Sequence, residues 1–158
     1  MKPMIGNAVQ MHGQARAFEE AYTVVLRPLC AELSLPQNAL DILLFLANNP
    51  GYDTARDICL YRHLKPGIVS FHIDRLVHAG YLTRRSDEKD RRVTHLVPTD
   101  AAAPVVARGR ELQAAFGAQL TEGLGAEDRV LFFRCLAIMD ANAKRICHEA
   151  AQKEKNDD

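Results

Sequence analysis

The stretch between residues 81 and 97 constrains the fold of this chain more than any other part of the sequence. Two short runs that read as strands, residues 81–85 and 92–97, flank the wholly polar segment 86–91. Strand-like runs on either side of a short polar segment indicate a β-hairpin. We therefore predict a hairpin with a highly charged tip in the middle of the chain.

Two short helices joined by a tight connection precede this hairpin. Thr54 opens the first helix, and Asp57 makes an approximate capping box with it, Asp standing in for the usual Glu. Residues 63–65 form the connection. Pro66 starts the second helix, which ends at Gly80, a residue suited to a left-handed cap. Two helices joined by so short a turn are the helix-turn-helix pattern.

Further helices are predicted on both sides of this central segment. Apolar residues three and four apart indicate a helix over about residues 14–33, and a second one starts at Pro36 and ends at Asn49. After the hairpin, a long helical stretch ends at residues 123–125, and a last helix covers about residues 126–151. The apolar face of that last helix comprises Val130, Phe133, Leu136, Met139, Ala143 and Ile146. The fold class is mainly α with a small β-hairpin (α+β), a winged helix-turn-helix domain with a helical dimerisation region.

The outer helices are longer than the central segment needs for its own core. We expect their apolar stripes to bury one another across a two-fold axis in a homodimer. Packing of all this apolar surface within one monomer is the alternative. On this interpretation residues 1–35 are an N-terminal dimerisation helix, residues 36–99 the DNA-binding domain, and residues 100–158 the C-terminal dimerisation helices.

The positive charge of the chain is confined to its middle third. Residues 54–99 carry nine basic and five acidic side chains, whereas the segments on both sides are each net acidic and the whole chain is neutral. This distribution is expected if the middle third alone faces phosphates. An ordinary solvated charged surface is the alternative.

The helix that follows Pro66 has two distinct faces. At 100° per residue, four apolar side chains share the face expected to pack on the domain: Val69, Ile73, Leu76 and Val77. A major groove admits one helix, whose N-terminal side chains reach base edges. The residues expected to contact DNA from this helix are Lys65, Gly67, Ser70, Phe71, His72 and Arg75. Phe71 would meet a thymine methyl group, or would instead pack against a neighbouring helix.

The hairpin tip supplies a second set of candidate DNA contacts. Lys89, Arg91 and Arg92 are three cations within four residues, interrupted by Asp90. Asp90 can hold an arginine guanidinium through two hydrogen bonds and so orient it. An arginine fixed on a projecting loop suits a narrow minor groove, where the potential is most negative. A solvated turn is the alternative.

The run LKPGIVSFHIDRLVHAGYLTRRSDEKDRRVTHLVPT, residues 64–99, resembles the signature of the MarR/SlyA family of winged helix-turn-helix transcription regulators. The helix that ends before Gly80 and the Asp-Glu-Lys-Asp-Arg-Arg segment at residues 87–92 carry the resemblance. It implies a homodimer with recognition helices in successive major grooves of a pseudo-palindrome and wings in flanking minor grooves. It further implies that Asp90 and Arg92 place the wing arginine, and that the protein is a repressor released by a small aromatic effector or an oxidant.

Three positions depart from the family pattern. Phe71 stands where arginine is common, so the bases read there are expected to differ. Pro98 stands where leucine is usual. Ala102 stands where glycine is usual and Pro104 follows it, so the next helix is expected to begin late or to kink.

Sensing functions have weaker support in the sequence. A small effector would lie between the dimer helices and the DNA-binding lobe, with His12, Arg16 and Tyr22 as candidate contacts, each of which also fits ordinary surface or core packing. The four cysteines are expected to be mainly small buried hydrophobes rather than redox or metal sites: Cys30, Cys59, Cys135 and Cys147.

The sequence contains no motif typical of an enzyme or of a metal or cofactor site. We expect no metal, no cofactor and no catalytic residue, because phosphate loops, nucleophile elbows and zinc-binding helices are missing. No apolar run is long enough to span a membrane, and the N-terminal residues lack the apolar core of a signal peptide. We therefore expect a cytoplasmic protein with no membrane partner. The partners expected are double-stranded DNA, a second copy of the chain and a small aromatic effector. The alternative function is a winged-helix protein-interaction module without DNA readout, which an outward Phe71 also suits.

Overall fold

The computed structural model describes residues 8–156, with the side chains of residues 10–153. The chain divides into two compact units, one ending at Phe116 and the other starting at Gly117. The outermost parts of the predicted terminal segments, residues 1–7 and 157–158, lie outside the described residues.

The first unit contains the helices and the hairpin that the sequence predicts, in the predicted order. Its elements are α1 (Ala8–Leu33), α2 (Gln37–Asn48), α3 (Ala55–Arg62), α4 (Pro66–His78), β1 (Leu82–Ser86), β2 (Thr94–Pro98) and the first part of α5 (Ala103–Leu120). The two strands pair antiparallel, with Leu82 opposite Pro98 and Arg84 opposite Leu96. The predicted fold class, mainly α with a small hairpin, is confirmed.

Helix α2 lies at the centre of the hydrophobic core. Six of its apolar side chains are buried: Ala39, Leu40, Ile42, Leu43, Leu44 and Leu46. α1 contributes Leu26 and Leu29, and the hairpin contributes Leu82 and Leu96. The face of α4 that was predicted to pack inward does so, with Val69, Ile73 and Leu76 buried. The opposite face of α4 therefore remains available for contacts outside the chain.

The connections around α3 and α4 follow from their local sequence. Thr54 and Asp57 form the predicted capping box, in which the backbone N–H of Asp57 donates to Thr54 Oγ1 over 3.2 Å. The reciprocal bond runs from the backbone N–H of Thr54 to Asp57 Oδ2 over 3.0 Å. Gly80 has φ +80°, the left-handed conformation expected at the end of α4. These caps set where α3 begins and where the hairpin begins after α4.

The hairpin differs from its prediction in where the second strand begins. Arg92 was expected to open that strand, but β2 starts at Thr94 and Arg92 lies in the tip. The reason is the turn itself, which is closed by a bond from the backbone N–H of Val93 to Asp90 O over 2.9 Å. Because the N–H of Val93 donates to a carbonyl within the tip, regular pairing with β1 begins one residue later.

Backbone hydrogen bonds fasten the hairpin to the rest of the unit. Thr99 donates its N–H to Tyr81 O over 3.0 Å and its hydroxyl to Gly80 O over 2.6 Å, which closes the base of the hairpin. The N–H of Leu96 donates to Asp53 O over 2.7 Å, just before α3. The hairpin is thus attached at its base and along the outer side of β2.

Several helix boundaries lie beyond their predicted positions. α1 begins at Ala8 rather than near residue 14, and it continues through Pro28. α5 begins late, as the departure at Ala102 and Pro104 predicted, because a 3₁₀ turn at Asp100–Ala102 precedes it. No single helix of the described chain is long and apolar enough to cross a membrane; α1 and α2 reach that length and composition only together, across a 97° bend.

The second unit consists mainly of α6 (Ala126–Asn156), which is five residues longer than predicted. Five apolar side chains of its predicted face are exposed in the single chain: Val130, Phe133, Leu136, Met139 and Ile146. Cys135 and Cys147 are exposed as well, and Cys30 and Cys59 are half-buried. The prediction that the cysteines are mainly buried is therefore wrong for the two on α6, because that helix presents its apolar stripe to the surface of the single chain.

Candidate nucleic-acid interface

The tip of the hairpin, residues 87–93, is held by the side chain of Asp87. Its Oδ1 accepts the backbone N–H of Lys89 over 2.8 Å and that of Asp90 over 2.7 Å. These N–H donors, that of Asp90 first, and the imidazole of His95 hold the pKa of Asp87 below its ordinary value. The tip therefore has a defined turn, although nearly every side chain in it is polar.

Asp90 orients the guanidinium of Arg92 in the way that the sequence predicted. Arg92 Nε donates to Asp90 Oδ1 over 3.1 Å, and Arg92 Nη2 donates to Asp90 Oδ2 over 3.4 Å. The backbone N–H of Arg92 adds a third bond to Oδ1 over 3.0 Å. The Arg92 side chain is nevertheless 91% exposed. It is an oriented cation that presents its remaining donors to solvent.

His95 connects the tip to the start of α3. Its Nδ1 lies 2.7 Å from Asp53 Oδ1, and its Nε2 lies 3.1 Å from Asp87 Oδ2. Asp53 first and Asp87 second raise the pKa of His95 above its ordinary value by hydrogen bonding to the imidazole. The imidazole thus bridges two carboxylates that come from different segments.

Five of the six residues predicted to contact DNA from α4 are exposed, all but His72. Lys65 is the N-cap of the helix, and Gly67 has open space where a Cβ atom would stand. Ser70 is exposed, and Phe71 is 59% exposed with its ring edge-on to that of His72. An apolar ring on the outer surface of a helix has most of its area available to a partner.

The other two residues predicted on α4 are placed differently. His72 is buried, and burial, with a smaller contribution from Arg75, lowers the pKa of its imidazole. Its Nδ1 has no hydrogen-bond partner. Arg75 is exposed but donates from Nη2 to Ser34 O over 3.0 Å. We therefore leave His72 out of the interface, and we regard Arg75 as a tie between α4 and the end of α1.

A cleft of about 480 Å³ separates α4 from α3 and the hairpin. Arg56, Ser70 and Arg84 are among its lining residues. Arg84 also forms an ion pair with Asp74, which joins the hairpin to α4. Basic side chains from α3 and β1 therefore lie beside α4, in agreement with the excess of positive charge in this part of the sequence.

A second cleft, of about 750 Å³, lies among α1, α2 and α3. Tyr22 lines it together with Asp41 and Arg62. Of the three predicted effector contacts, the structure brings only Tyr22 to this cleft, whereas His12 and Arg16 are exposed on earlier turns of α1. Burial raises the pKa of Tyr22 above its ordinary value, so its hydroxyl is present as a hydrogen-bonding phenol.

The sequence did not indicate the residues that hold these sites in place through contacts between distant segments. Asp53 and His95 are 42 residues apart, and Asp41 and Arg62 come from different helices. A histidine within a strand next to acidic turn residues was the available signal for the first pair. The single charged residue in the mainly apolar α2, Asp41, was the signal for the second.

Residues 33–93 match the model of the MarR family. This match covers the end of α1, all of α2 to α4, β1 and the hairpin tip. No curated protein matches the chain in sequence.

Three solved structures illustrate the similarity of the fold. A MarR transcriptional regulator from Methanosarcina mazei Go1 is 20% identical, with a TM-score of 0.74, over 87% of this chain and 99% of that one. A MarR family transcriptional regulator from Listeria monocytogenes, complexed with a 26mer DNA, is 15% identical, with a TM-score of 0.74, over 87% and 89%. Bordetella bronchiseptica BpsR, whose DNA binding is regulated by 6-hydroxynicotinic acid, is 18% identical, with a TM-score of 0.67, over 83% and 98%.

Proposed function

We propose that this chain, whose residues 33–93 match the model of the MarR family, belongs to that family and is a sequence-specific regulator of transcription that binds double-stranded DNA. The observation that carries this proposal is the guanidinium of Arg92, which Asp90 orients although it is 91% exposed. A cation held in one direction on a projecting tip suits a phosphate-lined groove better than bulk solvent.

In the proposed complex, α4 enters a major groove and the hairpin tip enters the neighbouring minor groove. Lys65 and Ser70 have donors for phosphates or base edges, Gly67 lets the backbone approach, and Phe71 meets a thymine methyl group. Lys89, Arg91 and Arg92 supply the minor-groove contacts. The exposure of these side chains supports the proposal.

We propose further that the protein acts as a homodimer in the cytoplasm and reads a pseudo-palindrome. The exposed apolar side chains of α6 support this, because a helix with large residues such as Phe133 and Ile146 at 57% and 60% exposure needs a partner surface. Two copies related by a two-fold axis would bring two α4 helices to successive major grooves, about one helical turn apart.

The regulator is proposed to be a repressor that a small aromatic acid releases from DNA. The cleft lined by Tyr22 has the size and the mixture of aromatic and charged groups that such a ligand needs. An acid of this class regulates DNA binding by the B. bronchiseptica protein. A thermal-shift titration with benzoate and hydroxynicotinate tests this, and the stabilisation should vanish in Tyr22→Ala.

A winged-helix module that binds a protein instead of DNA remains the second candidate. The observation that favours it is the 59% exposure of Phe71, because an outward aromatic ring also suits a protein groove. The oriented Arg92 favours the first candidate.

Selection from a pool of random DNA duplexes, followed by salt titration of the enriched sequence, tests the proposal. A palindrome with half-sites about one turn apart, and an affinity that falls steeply with salt, are expected. Weak binding without any enriched motif contradicts DNA readout and favours the protein-interaction module.

A further inference from the structure

We propose that His95 is a positioning residue of the hairpin. By bridging Asp53 and Asp87, His95 holds the hairpin tip in its DNA-binding orientation. This inference rests on the proposed function and extends it to a residue outside the predicted contact set. The bridge consists of the two hydrogen bonds at Nδ1 and Nε2, 2.7 Å and 3.1 Å long.

The bridge is one link in a continuous series of bonds from the domain to the exposed arginine. Asp53 lies just before α3 and also accepts the backbone N–H of Leu96 over 2.7 Å. Asp87 uses its other oxygen to accept the two N–H groups of the tip turn, those of Lys89 and Asp90. Asp90 in turn orients Arg92. The direction of the Arg92 guanidinium therefore depends on where His95 holds Asp87.

The geometry requires a particular protonation state of the imidazole. A carboxylate accepts hydrogen bonds and cannot donate them, so both ring nitrogens must carry a proton if each is bonded to a carboxylate. Only the imidazolium cation meets this condition. In the neutral imidazole one nitrogen becomes an acceptor that faces a carboxylate oxygen, and one end of the bridge is lost.

The charges around His95 determine the direction of its pH dependence. Asp53 and Asp87 favour the cation, Arg85 lies opposite His95 on β1, and Glu88 and Lys89 line a small cleft beside it. The net result is a pKa raised above the ordinary value of histidine. The bridge is therefore complete below that ordinary value, about 6.5, and is lost as the pH rises through the raised pKa.

DNA affinity measured against pH tests this inference. With the duplex enriched by selection, at constant ionic strength between about pH 6 and pH 8.5, the wild-type dissociation constant should rise severalfold. His95→Gln should bind weakly at every pH, because glutamine has no titrating proton and cannot bridge both carboxylates. His148→Gln, which removes an exposed histidine of α6, should follow the wild type. A His95→Gln variant that retains the wild-type affinity and pH profile overturns the proposal.

A second measurement tests the bridge directly and requires neither DNA nor the His95→Gln variant. NMR titration of the imidazoles in the wild type should give His95 a pKa above the ordinary histidine value of about 6.5, and Asp53→Asn should lower it. If the pKa of His95 is not above that ordinary value, or Asp53→Asn leaves it unchanged, the bridge is overturned. Should His95→Gln fail to fold, Asp53→Asn takes its place in the DNA assay, and its affinity should fall off at a lower pH than that of the wild type.

The buried His72 does not interfere in this range, because burial lowers its pKa and moves its titration away from that of His95. A wild-type chain that binds no duplex at any pH overturns the proposed function and, with it, the role of His95 in DNA binding. The NMR titration then still decides whether the bridge itself exists, so the two failures are distinguishable.

Discussion

The carboxylate of Asp41 on α2 lies 3.2 Å from the guanidinium of Arg62 on α3, and only 6% of the Asp41 side chain is exposed. The Tyr22 hydroxyl donates to the same carboxylate over 3.2 Å, and Gln113 Nε2 of α5 donates to the Tyr22 oxygen over 2.8 Å. A buried charge is costly unless it is paired and hydrogen-bonded. This carboxylate therefore couples four helices of the first unit.

Replacing Arg62 with Met should destabilise the protein by about 1–3 kcal/mol, the usual cost of leaving a buried polar group without its partner. Burial already raises the pKa of Asp41, and Arg62 opposes that rise. A carboxyl whose pKa is raised on folding costs stability as the pH rises above its unfolded pKa. The loss in the free energy of unfolding that Arg62→Met causes, measured by urea unfolding, should therefore grow between about pH 4 and pH 7.

Arg108→Met is the matched control for that experiment. Arg108 pairs with Glu32 over 2.6 Å, but both side chains are about half exposed. Water and salt screen exposed pairs, so this variant should lose much less stability than Arg62→Met. Equal losses in the two variants, or a loss in Arg62→Met that does not change with pH, would contradict the importance of burial.

Arg92→Ala should weaken DNA binding across all sequences, because the side chain is predicted to contact the groove without reading a base. The slope of the logarithm of affinity against the logarithm of salt concentration should fall by about one unit. Asp90→Ala keeps the Arg92 cation but removes the carboxylate that orients it, so it should weaken binding less and should not lower the slope. The expected order of affinities is wild type, Asp90→Ala, Arg92→Ala, and unchanged binding in Arg92→Ala would rule out the wing contact.

Phe71→Ala should relax base preference at one position in each half-site, with a loss of discrimination of about 1–3 kcal/mol there. Its stability should change little, since the ring is 59% exposed. Repeating the selection with the variant measures this. An identical enriched sequence would show that Phe71 does not read a base and would favour a role in protein contacts.

Gly109→Ala should destabilise the first unit by about 1–3 kcal/mol through overpacking. A Cβ atom at residue 109 would stand 2.5 Å from a methyl carbon of Leu44, and Leu44 is fully buried in the core. Gly117→Ala on the same helix has open space around its Cβ position and should gain up to about 1 kcal/mol from helix propensity. Thermal unfolding of both variants separates the two effects, and a gain in Gly109→Ala would disprove the close approach.

Phe133→Glu should convert the proposed dimer into a monomer, because burying an unpaired carboxylate at an interface costs several kcal/mol. Phe133 is 57% exposed in the single chain, so the monomer should keep its fold. Sedimentation equilibrium measures the mass, with Lys153→Glu near the end of α6 as the control. A variant that sediments as the wild type does would remove α6 from the interface.

The local signals in the sequence were sufficient for most of the fold. The Thr54–Asp57 cap, the left-handed Gly80 and the inward face of α4 depend on neighbours within a few residues, and all three are confirmed. The orientation of Arg92 by Asp90 is equally local, since they lie two positions apart in the sequence. Such features follow from spacing alone, because the helix or turn fixes the distances between near neighbours.

The features that the sequence did not predict depend on contacts between distant segments. His72 shares its helix with Phe71, but only the packing of α4 on the domain determines that one is buried and the other exposed. The start of β2 depended on which carbonyl accepts the N–H of Val93. The Asp53–His95–Asp87 bridge joins three segments, so no periodicity within one element could indicate it.

The way β2 is fastened also affects how the protein behaves at high concentration. In an antiparallel pair, alternate residues direct their backbone N–H positions away from the partner strand. On either side of β2, Val93 and Thr99 form backbone hydrogen bonds with the β1 side of the hairpin. The outward positions of β2 are therefore Thr94, Leu96 and Pro98. The N–H of Leu96 already donates to the backbone oxygen of Asp53, and proline has no N–H group. A strand edge so depleted of donors is a poor template for another strand, so separate molecules are protected from joining through the β2 edge into aggregates.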